Sequence, residues 1–130
     1  MLNSVLSVNW RWKMFRVIVA GGREFDDVPL LYAKLNTYLA NKLPDVQIVS
    51  GVARGADTLG MRFAMDHNLK CAKFPAEWDR WGRGAGYIRN REMAANADAL
   101  IAFWDGKSRG TKHMIDLAVE KGLLVKVVRY

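Results

Sequence analysis

Cysteine is all but missing from this sequence of 130 residues: Cys71 stands alone. A single thiol closes no internal disulfide and supplies no thiolate zinc cluster, and the pattern fits a reducing, cytoplasmic setting. Histidine is nearly as scarce. His67 and His113 lie far apart with no acidic cluster beside them, so neither a metal nor another cofactor is expected. No apolar run approaches the roughly 20 residues of a membrane span, and residues 1–13 hold no continuous apolar stretch of the kind a secretory signal needs. No membrane partner is expected. Internal repeats, low-complexity segments and linkers are also absent.

What remains is a globular mixture, 51% hydrophobic and 25% charged, on a length that suits one domain. Lysine and arginine number 20 against 13 aspartates and glutamates, a net charge of +7. That balance favours an anionic partner, either a phosphorylated small molecule or nucleic acid.

Residues 1–14 read as an N-terminal appendage, with Met14 an alternative start, and residues 15–130 as the domain. From Phe15 onward strand and helix patterns alternate. Phe15–Ala20 is a β-branched run closed by Gly21-Gly22. Pro29 opens a helix that carries Leu31, Leu35, Tyr38 and Leu39 at helical spacing. Val46–Val49 is a second strand. Ala56, Leu59, Gly60, Phe63, Ala64 and His67 then fall on one helical face. Leu69–Phe74 forms a third strand, and residues 76–86 a long polar loop. A helix over about Tyr87–Ala97 follows, then a strand over Ala99–Trp104. Thr111, Met114, Ile115 and Ala118 mark the last helix, and Leu123–Val128 the last strand. This order predicts an α/β fold with a mainly parallel sheet covered by helices on both faces.

In such a sheet ligands bind beyond the carboxyl ends of the strands. Unusual residues gather there. Gly21-Gly22-Arg23 follows the first strand; the glycines allow close backbone approach and Arg23 can clamp a phosphate. Ser50–Asp57 is a glycine-rich loop opening a helix, where free N–H groups and the dipole favour an anion. Asp105–Thr111 repeats that arrangement. Between them lie Trp78, Trp81 and Tyr87, able to stack on a base, and a run of arginines. Each feature also has a plain structural reading: a tight turn, a first-turn carboxylate at Asp57, a capping Ser108 or Thr111, tryptophans packed onto the domain.

Gly21-Gly22-Arg23, Ser50–Asp57, Ala85-Gly86-Tyr87-Ile88-Arg89-Asn90, and Trp104-Asp105-Gly106 with Gly110-Thr111 together resemble the YspA/YpsA-related branch of the SLOG superfamily. They do so in order and at fitting spacing over residues 15–129, in the manner of its small stand-alone bacterial or phage members. The superfamily unites the LOG phosphoribohydrolases with the DNA-processing protein DprA. The resemblance implies a three-layer α/β/α Rossmann-like domain with five strands in the order 3-2-1-4-5. It also implies a crevice between strands one and four that binds a nucleotide or nucleotide-derived ligand. Gly21, Gly22, Arg23, Ser50, Gly51, Arg54, Gly55, Arg89, Gly106, Ser108, Gly110 and Thr111 would then hold phosphate and ribose. Asp57 and Asn90 would take ribose hydroxyls or orient the arginines, and Trp78 or Tyr87 would stack on the base.

Two alternatives follow from the same relatives. LOG enzymes cleave the N-glycosidic bond of nucleoside 5′-monophosphates. Here Lys112-His113-Met114 stands where LOG carries its catalytic acid, which leaves Glu77 or Asp105 for that role. DprA binds single-stranded DNA, and its Ser-Gly-x-Ala-Arg-Gly motif resembles Ser50–Gly55; Arg80, Arg83, Arg89 and Arg91 would then track a DNA backbone. Pairing through helices in related domains implies a homodimer.

Overall fold

The computed structural model describes residues 13–130. The expected appendage over 1–14 therefore lies, apart from Lys13 and Met14, outside the described residues. The elements run β1 (Phe15–Gly21), α1 (Val28–Tyr38), β2 (Val46–Ser50), α2 (Ala56–Asp66) and β3 (Lys70–Lys73). A single turn α3 (Trp78–Trp81) and a 3₁₀ turn (Gly82–Gly84) lead into α4 (Ala85–Ala95), β4 (Ala99–Trp104), α5 (Arg109–Glu120) and β5 (Leu124–Arg129). The five strands form one sheet in the order β3-β2-β1-β4-β5, and every neighbouring pair is parallel.

The strand sequences explain their positions. Parallel strands covered on both faces read as continuous apolar runs. β1 and β4 do so, and they pair at the centre with Val19 opposite Ile101. Alternate residues point to opposite faces. Val17 and Val19 join Leu31, Leu35, Ile48 and Phe63 in a core under α1 and α2. Ile18 and Ala20 join Met93, Leu100, Met114 and Ala118 in a second core under α4 and α5. β3, with lysine at both ends, and β5, exposed at most of its positions, occupy the edges. Gly60 brings α2 onto β1: a Cβ there would lie 2.8 Å from Cβ of Val19.

Local signals set most boundaries. The Asp27 carboxylate accepts from the N–H of Leu30 at 3.0 Å, with Pro29 in the first turn of α1. Ser108 caps α5 by accepting from the N–H of Thr111. The stretch expected to be a long loop departs from expectation. The Glu77 carbonyl accepts from the N–H groups of Arg80 and Trp81, forming α3, and α4 begins at Ala85 rather than Tyr87. Gly82, Gly84 and Gly86 mask this helical turn in the sequence, because glycine is a poor helix former. No helix among the described residues is long and apolar enough to cross a membrane.

Candidate functional site

From β1 the chain crosses towards β2, and from β4 towards β5, so the loops leaving these two central strands part company. Their divergence opens a cleft of about 500 Å³ at the carboxyl edge of the sheet, the place where doubly wound sheets bind ligands. Ala20 and Gly21 reach its floor. Gly22, Arg23, Asp57, Trp78, Arg89 and Asn90 line it together with Asp105, Ser108, Gly110 and Thr111.

The buried polar side chains of the described residues are Ser50, Asp57, Asn90 and Thr111, and all four lie at this edge of the sheet. Ser50 is fully buried. Its hydroxyl donates to the Asp57 carbonyl at 3.0 Å and accepts from the N–H of Val52 at 3.1 Å. It shapes the loop after β2 and does not reach the cleft. Asp57, 5% exposed, accepts from the N–H of Ala53 at 3.3 Å. Burial pushes its carboxyl up to about 6, against the opposing pull of Arg89, the N–H groups of Ala53 and Gly21, and Arg23.

Arg89 faces Asp57 from α4. Burial lowers its pKa, while Asp57 holds it up. Its Nη1 donates to the Gly51 carbonyl and its Nε to Oδ1 of Asn90 at 3.1 Å. Its Nη2 lies near Gly86 and has no hydrogen-bond partner among the described residues. Asn90 in turn ties α4 to the start of α5. Its Nδ2 donates to the Gly110 carbonyl at 3.3 Å and to Nδ1 of His113 at 3.1 Å, a pairing that leaves the imidazole proton on Nε2. Burial, and then Arg91, hold the His113 pKa below its ordinary value. Thr111 and Ser108 share a hydrogen bond at 3.1 Å. Around Gly110 no atom stands within 4 Å of where a Cβ would be, so the first turn of α5 is open to a ligand.

Close backbone approach explains two glycines. Gly55 has φ +84, and a Cβ there would strike the Gly22 carbonyl and come within 2.7 Å of the Arg23 backbone. At Gly51 a Cβ would meet the Arg89 guanidinium and stand 2.7 Å from Oδ2 of Asp57. The absence of side chains at these two glycines lets the loops after β1 and β2 approach and leaves Asp57 and Arg89 near each other across Gly51.

The structure does not bring every expected residue to the cleft. Glu77 lies outside it, on the surface, 4.0 Å from Arg80. Asp105 is at the cleft, but its Oδ1 accepts from the N–H groups of Lys107 and Ser108, each at 2.8 Å, and these bonds hold its carboxyl below the usual range. These bonds favour the charged form, the opposite of what raises a carboxyl towards a proton donor's range. Arg54 is exposed and pairs with Glu24. Gly55 and Gly106 support the loops from behind; Gly106, at φ +84, packs against the Arg129 guanidinium. Trp78 is 48% exposed with the Arg23 guanidinium 5.9 Å from its ring, and Tyr87 stands against His113 at 4.3 Å. Tyr130 was not legible as a site residue: its hydroxyl sits over Gly22 and its ring packs edge-on to Phe25 at 4.8 Å. The signal was its position, one residue beyond the last strand at the same sheet edge. Among the described residues no group of three or more His, Cys, Asp or Glu is placed to hold a metal ion.

Residues 15–81 match the sequence profile YAcAr, described as the YspA, cpYpsA-related SLOG family. The Gene 61 protein of Mycobacterium phage D29 is 34% identical, over 86% of this chain and 94% of its own length. Among solved structures, DNA processing protein A (DprA) from Streptococcus pneumoniae superposes with a TM-score of 0.72 at 20% identity, over 89% of this chain and 50% of that one. DNA processing protein A from Helicobacter pylori gives 0.65 at 19% identity, over 88% and 65%. This chain thus spans about half to two-thirds of the length of those two proteins, and the likeness to them is one of fold. Profile, phage relative and strand order agree: the chain belongs to the YspA, cpYpsA-related SLOG family.

Proposed function

We propose that the cleft binds a nucleotide or nucleotide-derived ligand through its phosphate and ribose. The observation that carries this reading is the gathering of the described residues' buried polar side chains at one edge of the sheet, with the Arg89 charge acting on the buried Asp57. Burying such groups opposes folding unless they are paired, and a perturbed carboxyl in a cleft is a mark of a working site. Arg23 and the free Nη2 of Arg89 take phosphate, helped by the open first turn of α5 at Gly110 and Thr111. Asp57 accepts from ribose hydroxyls, and Trp78 or Tyr87 stacks on the base.

The test is calorimetric titration with AMP, ADP, GMP and NAD on the wild type and on Arg23→Ala. Arg23 is exposed and makes no hydrogen bond among the described residues. Its loss should leave the melting temperature unchanged while removing a charge-assisted phosphate contact of about 1.5–3 kcal/mol, roughly 10- to 100-fold in affinity. Wild-type affinity in Arg23→Ala refutes the assignment.

Two other readings have support. The Helicobacter pylori relative in fold is described for its single-stranded DNA binding mode, and the net charge of +7 suits such a partner. Binding of DNA would weaken steeply with salt, by close to one log–log unit per phosphate contacted. N-glycosidic hydrolysis needs a carboxyl group able to protonate the leaving base. Of the acids on the cleft Asp57 is the one with a raised pKa, and free base released from AMP, lost in Asp57→Asn, is the test of that chemistry.

A further inference from the structure

A second cleft, of about 390 Å³, adjoins the first. The two share Arg23, Ala53, Trp78 and Arg89, which stand between them as a common wall. The clefts differ in charge. The first carries Glu24, Asp57 and Asp105 beside its arginines, whereas the second is lined by Arg23, Arg89 and Arg54, the last of these paired with Glu24, and has no carboxylate in its own lining. Positive charge is thus concentrated at the divide, on Arg23 and Arg89. The far side of the second cleft is apolar, formed by Val52, Pro75 and Ala76. Val52 holds φ +65 there, an uncommon conformation for a β-branched residue and of the sort retained at binding sites.

We infer that the ligand is bipartite: two nucleosides joined through phosphate, one in each cleft, with the bridging phosphate on Arg23 and Arg89. This rests on the nucleotide reading above and narrows its ligand class. A mononucleotide fills the first cleft and leaves the apolar wall at Val52, Pro75 and Ala76 uncovered. A second nucleoside covers that lining and stacks on Trp78, and a following phosphate competes with Glu24 for Arg54. The linked chemistry has two sources, a free dinucleotide or two successive nucleotides of a DNA strand.

The experiment compares the affinities of AMP, diadenosine diphosphate, (dA)₂ and (dA)₈ for the whole chain at fixed salt, and repeats them on Ala76→Trp. Ala76 lines the second cleft alone, on the loop between β3 and α3, and the indole fills that space. The expected result is a gain of at least tenfold for a two-nucleoside ligand over AMP, one ligand per chain. Ala76→Trp abolishes the gain and keeps AMP affinity. A further rise with (dA)₈ and a steep salt dependence identifies a strand as the source, and equal affinity for (dA)₂ and (dA)₈ a free dinucleotide. Equal affinity for AMP and both two-nucleoside ligands overturns the bipartite ligand and leaves the nucleotide reading standing, whereas failure of all four to bind overturns both. A gain that survives in a folded Ala76→Trp also overturns it. Where that variant does not fold, amide shifts on the wild type decide: a two-nucleoside ligand must move the Val52 and Ala76 signals that AMP leaves in place, and unmoved signals refute the inference.

Discussion

Replacing Gly55 by alanine tests whether the loops after β1 and β2 meet as closely as the site requires. Gly55 has φ 84 and ψ −132, a combination open almost solely to glycine, and forcing another residue into it costs about 1–3 kcal/mol. The new methyl would also collide with the Gly22 carbonyl and stand 2.7 Å from backbone atoms of Arg23. Those are main-chain atoms, so no side chain can swing aside. Relief requires the two loops to separate, which breaks the hydrogen bond from the Ala56 N–H to the Gly22 carbonyl at 3.3 Å, a further loss of about 1 kcal/mol. The sum is about 3 kcal/mol, and for a domain of this size a melting temperature lower by about 10 °C. The separation also carries Arg23 away from Trp78 and Arg89, so the nucleotide binding proposed above should weaken together with stability. Gly110→Ala is the control. It adds the same methyl where no atom lies within 4 Å, inside a helix, and should stabilise by about 0.5–1 kcal/mol. Thermal and urea denaturation measure both. A Gly55→Ala protein that melts with the wild type refutes the reasoning.

Asp57 makes stability depend on pH. Its carboxyl keeps its proton up to about pH 6 when folded, against 3.8 as its ordinary value, so between these values the native state binds the extra proton. Its contribution is therefore fully present below pH 3.8 and is lost as pH rises through 6, by about 3 kcal/mol in all. The difference between wild type and Asp57→Asn in urea melts at pH 4.5 and pH 7 isolates it, and an unchanged difference contradicts the assignment. Asn90→Leu strips partners from the Gly110 carbonyl, His113 and Nε of Arg89 at once; a loss of about 2–3 kcal/mol is expected in urea denaturation, with ligand affinity falling because Arg89 is released. Together with Arg23→Ala, which should lose affinity and keep stability, these variants separate groups that build the site from groups that meet the ligand.

The two tryptophans and the glycines of residues 76–86 show why part of the site was hard to read. Their polar, glycine-broken pattern carries no helical period, and only the packed chain reveals α3 and the early start of α4. Glu77 and Asp105 illustrate a second limit. Sequence places an acid on a loop, but reach and hydrogen bonding set its surroundings: Glu77 lies outside the cleft, and two backbone N–H groups bind the Asp105 carboxylate.

The alternation of strand and helix, the parallel sheet and the sheet edge that carries the cleft are all readable in the sequence. Hydrophobic periodicity and glycine-rich turns are local properties, and the resemblance carried the strand order. Tertiary structure alone decided that Ser50 supports the loop, that Asp57 faces Arg89 from another helix, and that Asn90 bridges α4 to α5. It alone also opened two clefts on either side of Arg23 and Arg89. Burial and charge pairing arise between residues far apart in the chain, where no local pattern records them.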